Sequence, residues 1–262
     1  MSSYERTNYT AENNVTYQRC QYAYEFALPY IMDKKVLDIG CGMGYGSSLL
    51  ANSAKTIVGL DYSQEAIHHN NITYKETPNL SFTKAKVPPL PFEDNTFEVI
   101  TTFQFIEHIA AQAFFLQECL RVLVPHGKLL LTTPNAKKTF ARNPFHIKEY
   151  SFEEMRNDIA HTTSNFQLLG LQGNDIVNSY YKENQKAVQR LMRWDVFNIH
   201  KILPAKWIAV PYNVLNKIMR KNLKQNMDST TTISTKDFFL QDHHLDDAWD
   251  IYLIAEKNNC IK

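Results

Sequence analysis

The run VLDIGCGMGYGS, Val36 to Ser47, constrains the fold more than any other part of the chain. A continuous apolar stretch leads into four alternate glycines, Gly40, Gly42, Gly44 and Gly46. Glycines placed after a strand let a ligand lie against main-chain N–H groups at a helix start, with no Cβ atoms in the way. Twenty-one residues past Gly40, a second apolar run, TIVGLDYS, ends in Asp61. A carboxylate at the end of a second strand can accept both hydroxyls of a ribose, so the two features together predict a nucleoside-bearing ligand. A dinucleotide frame starting at Gly40 needs a small residue where this chain has Tyr45, and no hydride-transfer dyad is visible, which argues against a nicotinamide-dependent oxidoreductase. Asp38, two residues before the first glycine, places at the strand end a carboxylate that suits an ammonium group better than a pyrophosphate.

Apolar runs of four to eight residues alternate with helix-period segments over about the first 175 residues, the pattern of an α/β domain with a mainly parallel sheet. Strands are expected at about 35–40, 56–60, 80–83, 98–103 and 127–133, with a late strand at 249–257. Ala111 to Leu123 reads as a crossover helix with Phe114, Phe115, Leu116, Cys119, Leu120 and Leu123 on one face. The expected division is an N-terminal helical flap at 1–34, a ligand-binding domain at 35–179 and 236–262, and an inserted helical lid at 180–235. Between Lys182 and Lys224 basic residues far outnumber acidic ones. A helical lid with a solvated face explains this better than peripheral contact with a membrane, the second reading. Across all 262 residues, 28 Lys and Arg against 27 Asp and Glu give a net charge of +1, so no global field points to nucleic acid as a partner. The polar N-terminus lacks the features of a secretory signal and the four cysteines are scattered, which fits thiols in a reducing cytoplasm. No run of 18 apolar residues is present, so no membrane span is expected.

The order of strand, Asp38, glycines and Asp61 resembles motif I of the class I S-adenosylmethionine-dependent methyltransferases. Leu90 to Ile109 is similar to that family's segment leading into the fourth strand, and Arg121 to Asn135 to its helix, turn and fifth strand, so the motifs cover Lys35 to Asn135. YAYEFALPYI (22–31), GYGS (44–47) and NPFHIKEY (143–150) look like a bacterial subgroup of the methyltransferase type 11/23 kind, often associated with modification of glycans and other surface polymers. The resemblance implies a Rossmann-like seven-stranded sheet, parallel but for one antiparallel strand, flanked by helices and carrying a helical lid. It implies S-adenosylmethionine as cofactor, S-adenosylhomocysteine as product, and methyl transfer to an oxygen, in preference to a nitrogen, of a small or glycan-linked acceptor. By motif position, Asp38 falls to the methionine amino group, and Gly40, Cys41 and Gly42 to the backbone lying along the cofactor. Asp61 falls to the ribose, Tyr62 and Val87 to the adenine, and Tyr45, Phe103 and Gln104 to the wall around the methionine part. One departure stands out: Lys86 occupies the place where the family usually carries an acid for the adenine amino group. Two other readings remain, a protein that binds the cofactor without turnover and a methyltransferase of a quinone or lipid acceptor. Oligomeric state is not legible.

Methyl transfer from a sulfonium is an in-line displacement, so an enzyme mostly positions the reacting atoms and keeps water out. A hydroxyl acceptor must also lose a proton, and two histidines fall where the resemblance implies acceptor-side groups: His108 in IEHI and His146 in NPFHIKEY. Both are expected beyond the carboxyl ends of strands, and an unperturbed imidazole is ready to accept a proton near neutral pH. Glu149 is a candidate to orient His146. The pairs His68–His69 and His243–His244, the latter beside Asp242, Asp246 and Asp247, read as surface loops, and no metal site is expected.

Overall fold

The segment KVLDI forms a strand, β1 (Lys35–Ile39), buried at every position after the first, and the rest of the sheet is arranged around it. The computed structural model describes residues 13–139, 143–192 and 232–259. Seven further strands are present among them: β2 (Thr56–Asp61), β3 (Leu80–Lys84), β4 (Phe97–Phe103), β5 (Leu123–Pro134), β6 (Phe166–Gly173), β7 (Phe238–Gln241) and β8 (Asp250–Glu256). They join one sheet in the order β3-β2-β1-β4-β5-β8-β6-β7. β1 to β5 run parallel. β8 runs antiparallel to both β5 and β6, and β7 antiparallel to β6.

The Rossmann-like class is as expected, but the sheet has eight strands where seven were expected, and two of them oppose the main direction where one was expected. The extra strand is the short β7, which lies along the free edge of β6 in the register Gly170↔Gln241 to Gly173↔Phe238 before the chain turns into β8. β6 escapes a periodicity reading because glycine interrupts FQLLGLQG. A Cβ at Gly170 would lie 2.7 Å from that of Ala248, so the strand needs glycine where the Ala248 side chain packs against it.

Six helices are described: α1 (Asn14–Ile31), α2 (Tyr45–Ala51), α3 (Gln64–Thr73), α4 (Gln112–Val122), α5 (Phe152–Ala160) and α6 (Asp175–Met192). Alternate strand residues feed two cores. Leu37, Ile39, Ile100, Leu129 and Leu131 pack with Phe115, Leu116 and Cys119 of α4 and Met155 and Ile159 of α5. Val36, Val99, Leu130 and Tyr252 pack with Ala23, Tyr24, Ala27 and Ile31 of α1. The expected α4 face needs two corrections: Phe114 is exposed, because the helix turns its Phe115, Leu116 and Cys119 stripe to the sheet, and Leu123 opens β5 instead of closing the helix. His68 and His69 lie on α3 rather than in a loop, both exposed. Tyr180 and Tyr181, at the start of the expected lid, are part of α6 and pack with Leu171, Val177 and Phe238. Residues 193–231 of that segment lie outside the described residues. No helix among the described residues is long and apolar enough to cross a membrane. Strand order reverses on either side of β1, whose neighbours are β2 and β4, and ligands of open α/β sheets bind outside the carboxyl ends of strands at such a switch.

Candidate functional site at the carboxyl end of the sheet

The glycine loop leaves β1 at the switch and is held from two sides. The N–H groups of Gly40 and Cys41 donate to the Leu60 carbonyl at 2.7 and 3.1 Å. Gly42 N–H donates to one carboxylate oxygen of Asp61 at 3.1 Å, and Ser63 N–H to the other at 2.8 Å. From α3, the buried amide of Asn70 donates to the Gly42 carbonyl at 2.8 Å, and the Tyr74 hydroxyl to that of Met43 at 3.3 Å. Asn70 was invisible to sequence reasoning, since a polar residue in a run of histidines and asparagines carries no positional signal. Gly42 has φ +52°, and a Cβ built on it meets nothing within 4 Å, so this backbone faces open space. Gly46 serves packing instead: a Cβ there would lie 2.0 Å from the Tyr24 ring of α1.

Asp38 is fully buried and accepts from Ser47 at 2.6 Å, from Thr101 at 2.8 Å, and from the Tyr24 hydroxyl at 3.4 Å to each oxygen. These donors come from α2, β4 and α1, so the carboxyl ties the loop's flanking elements together. Burial outweighs them and pushes its pKa up to about 6. Cys41 is buried beside it, its thiol pushed well above the usual range by desolvation. The rings of Tyr17 and Tyr24 lie 5.3 and 5.7 Å from that of Tyr45, and Phe103 is 4.7 Å from Tyr24 and 5.8 Å from Tyr252. Gln104, at φ +53°, donates its N–H to the Thr132 carbonyl at 2.9 Å. Tyr62 and Lys86 are exposed, and Val87 is buried.

The two histidines singled out in the sequence meet in space. Their ring centroids are 4.9 Å apart and the planes nearly perpendicular. His108 sits in the single turn Ile106–His108 that follows β4, and its Nδ1 is 3.0 Å from the Phe145 carbonyl, an acceptor only, so that nitrogen carries the proton. His146 Nδ1 faces Glu149 Oε1 at 2.5 Å, and its Nε2 is 2.8 Å from the Asn143 amide. The segment is pinned by Ile147 N–H to the Glu107 carbonyl at 2.8 Å and by the Gln112 amide to the Ile106 and Lys148 carbonyls at 3.0 and 2.9 Å. Glu107, buried at the same point, accepts from the Thr133 hydroxyl at 3.0 Å. Burial raises its pKa to about 7, and burial beside His146 lowers that of His108 to about 4. Burial also works against ionisation of Glu149, but hydrogen bonds from His146 and Thr139 hold it below the usual carboxylate range. His243 and His244 are exposed in a loop far along the chain.

Residues 37–131 match the family model described as a methyltransferase domain. A protein of Mycolicibacterium smegmatis described as a "probable S-adenosylmethionine-dependent methyltransferase" is 36% identical over 151 residues, 55% of this chain and 57% of that protein. A ubiquinone biosynthesis O-methyltransferase of Paracidovorax citrulli is 27% identical over 108 residues, 40% of this chain and 45% of that one. The chain thus spans about half the length of the curated relatives it matches. The YcgJ protein of Bacillus subtilis shares the fold at a TM-score of 0.58 and 16% identity, covering 91% of this chain and 99% of that one.

Proposed function

We propose that the chain, whose residues 37–131 match a methyltransferase-domain model, is a class I S-adenosylmethionine-dependent methyltransferase that transfers a methyl group from that cofactor to an oxygen of a small or glycan-linked acceptor. The cofactor, when bound, supplies an electrophilic methyl on a sulfonium. The residues suit it: Gly42 presents bare backbone to open space, and Asp61 sits beside that backbone with an ionisable carboxylate for the ribose. Asp38 acts in this reading as a positioning residue, holding α1, α2 and β4 around the loop. Tyr45, with Tyr17 and Tyr24 behind it, offers an aromatic face to a sulfonium, an attraction worth about 0.5–2 kcal/mol.

The observation that carries the choice of oxygen is the meeting of His108 and His146, with Glu149 behind the latter, beyond the ends of β4 and β5. A hydroxyl must give up its proton to become a nucleophile, and imidazole nitrogens oriented by acceptors on their far side suit that task. The relative named for ubiquinone biosynthesis is itself an O-methyltransferase by name. The segments 22–31, 44–47 and 143–150 favour a glycan-linked acceptor over a quinone, and the segment 180–235 is the part left to select it.

The test is incubation of the purified protein with methyl-labelled cofactor and a panel of nucleotide sugars, oligosaccharides, catechols and amines. Label recovered as a methyl ether on a saccharide supports the proposal, and label confined to amines overturns the oxygen assignment. Asp61→Ala is expected to weaken cofactor binding by at least about 1 kcal/mol, near fivefold. Unchanged affinity in calorimetry removes Asp61 from the ribose. His146→Ala is expected to slow turnover by tenfold or more while sparing cofactor affinity. An unaltered rate removes that residue from the acceptor site.

A further inference from the structure

We propose that Glu107, His108 and His146 form a divalent-cation site that holds the acceptor's oxygen, an inference that rests on the oxygen-acceptor reading above. The three side chains each offer one ligand atom, and these atoms all lie within 4.8 Å of one another. Three atoms so spaced all lie within about 2.8 Å of a common point, against about 2.0–2.2 Å for a bound transition metal, so a contraction of less than about 1 Å closes the site.

The hydrogen bonds around the cluster prepare it for a cation. The Phe145 carbonyl holds His108 with its proton on Nδ1, and the Glu149 carboxylate does the same for His146. Both Nε2 atoms therefore carry lone pairs, and this acceptor behind a ligating imidazole is the usual second layer of a metal site. Thr133 donates to one oxygen of Glu107, and the other lies 4.0 Å from His108 Nε2, so the carboxylate already points toward the imidazole with which it would share a cation. His146 Nε2 now accepts from the Asn143 amide, which a cation would displace by rotation of that side chain.

Two imidazoles and one carboxylate select Mn²⁺, Fe²⁺, Co²⁺ or Zn²⁺ over the all-oxygen preferences of Mg²⁺ and Ca²⁺. Three protein ligands leave positions open for an acceptor hydroxyl, whose acidity the cation raises. The balance is that of simple O-methylation: with both imidazole Nε2 atoms on the cation, the hydroxyl proton passes to water instead of to a histidine, a carbon–oxygen bond forms, and the carbon–sulfur bond breaks. S-adenosylhomocysteine leaves with the electron pair, and nothing is oxidised.

The experiment is titration of chelator-treated protein with MnCl₂, following loss of the free-ion EPR signal, in the wild type, Glu107→Gln, His146→Gln and a His243→Gln/His244→Gln control. One Mn²⁺ per chain in the wild type and the control, with affinity at least tenfold lower in both site variants and S-adenosylmethionine affinity unchanged, is the expected result. Absence of stoichiometric binding, or equal binding in the site variants, overturns the site. His146→Gln lies in a peripheral segment and keeps the test open where Glu107→Gln fails to fold. Stoichiometric binding together with full methyl transfer in EDTA leaves the site standing and overturns its hold on the acceptor. A protein that binds the cation but methylates only amines overturns the oxygen reading alone.

Discussion

Asp38 shows how a single buried residue can report on the whole site. Its carboxyl has three hydroxyl donors, yet desolvation raises its pKa to about 6 from an ordinary value near 3.9. The folded chain therefore binds this proton more tightly than the unfolded chain does. Stability from this group is full below about pH 4 and is lost as the pH rises to about 6, by roughly 1.4 kcal/mol per unit and on the order of 3 kcal/mol in all. Asp38→Asn does not titrate. Urea unfolding at pH 4.5 and pH 7 should show the variant gaining on the wild type as the pH rises, and a difference independent of pH would mean that Asp38 does not titrate in this window. That Asp38, Gly42 and Asp61 flank one loop was legible in the sequence because they lie within one strand–loop–strand unit. Asn70 under the loop and the meeting of Glu107 with His146 were not, because those contacts join segments distant in sequence.

Among elements, the strands with continuous apolar runs were legible, and the junctions between distant segments were not. α1 shows the difference. Its apolar face and tyrosines could be read, but not the ion pair that fastens it: Arg19 Nε lies 3.1 Å from Asp250 Oδ2 of β8, with side chains 15% and 2% exposed. The guanidinium also lies over the Tyr181 ring of α6 at 5.7 Å, and that ring stacks on Trp249 at 4.0 Å. Arg19→Met leaves the Asp250 charge buried and unpaired, which costs about 3–5 kcal/mol. Arg19→Met combined with Asp250→Asn removes both charges and should recover much of that loss. Chemical denaturation of the singles and the double closes the cycle, and a double variant no more stable than Arg19→Met would show that the pair's electrostatics do not fasten the helix. Gly46→Ala tests the other end of α1. A methyl 2.0 Å from the Tyr24 ring must push the helix off α2, and a fall in midpoint is expected in the range of overpacked cores, about 1–3 kcal/mol.

At the scale of the whole molecule, the loop, the aromatic group and the paired histidines come from β1, β2, β4, α1, α2 and the turns after β4 and β5, all at one end of one sheet. A ligand that engages the loop binds the folded chain and has no counterpart in the unfolded one, so it must raise the unfolding temperature by mass action. At a hundredfold excess over its dissociation constant the gain is about 2.7 kcal/mol. For a chain of this size each kcal/mol moves the midpoint by roughly 2–4 °C, so S-adenosylmethionine and S-adenosylhomocysteine should each shift it by about 5–10 °C. NADH should leave it unmoved, because Tyr45 occupies the place where a dinucleotide loop needs a small residue. Asp61→Ala should lose most of the shift at fixed ligand concentration, since the carboxylate both braces Gly42 and stands nearest to it among the acids of the loop. Equal shifts in the variant and the wild type would place the ligand elsewhere on the molecule. A shift with NADH alone would overturn the proposed methyl transfer in favour of hydride transfer.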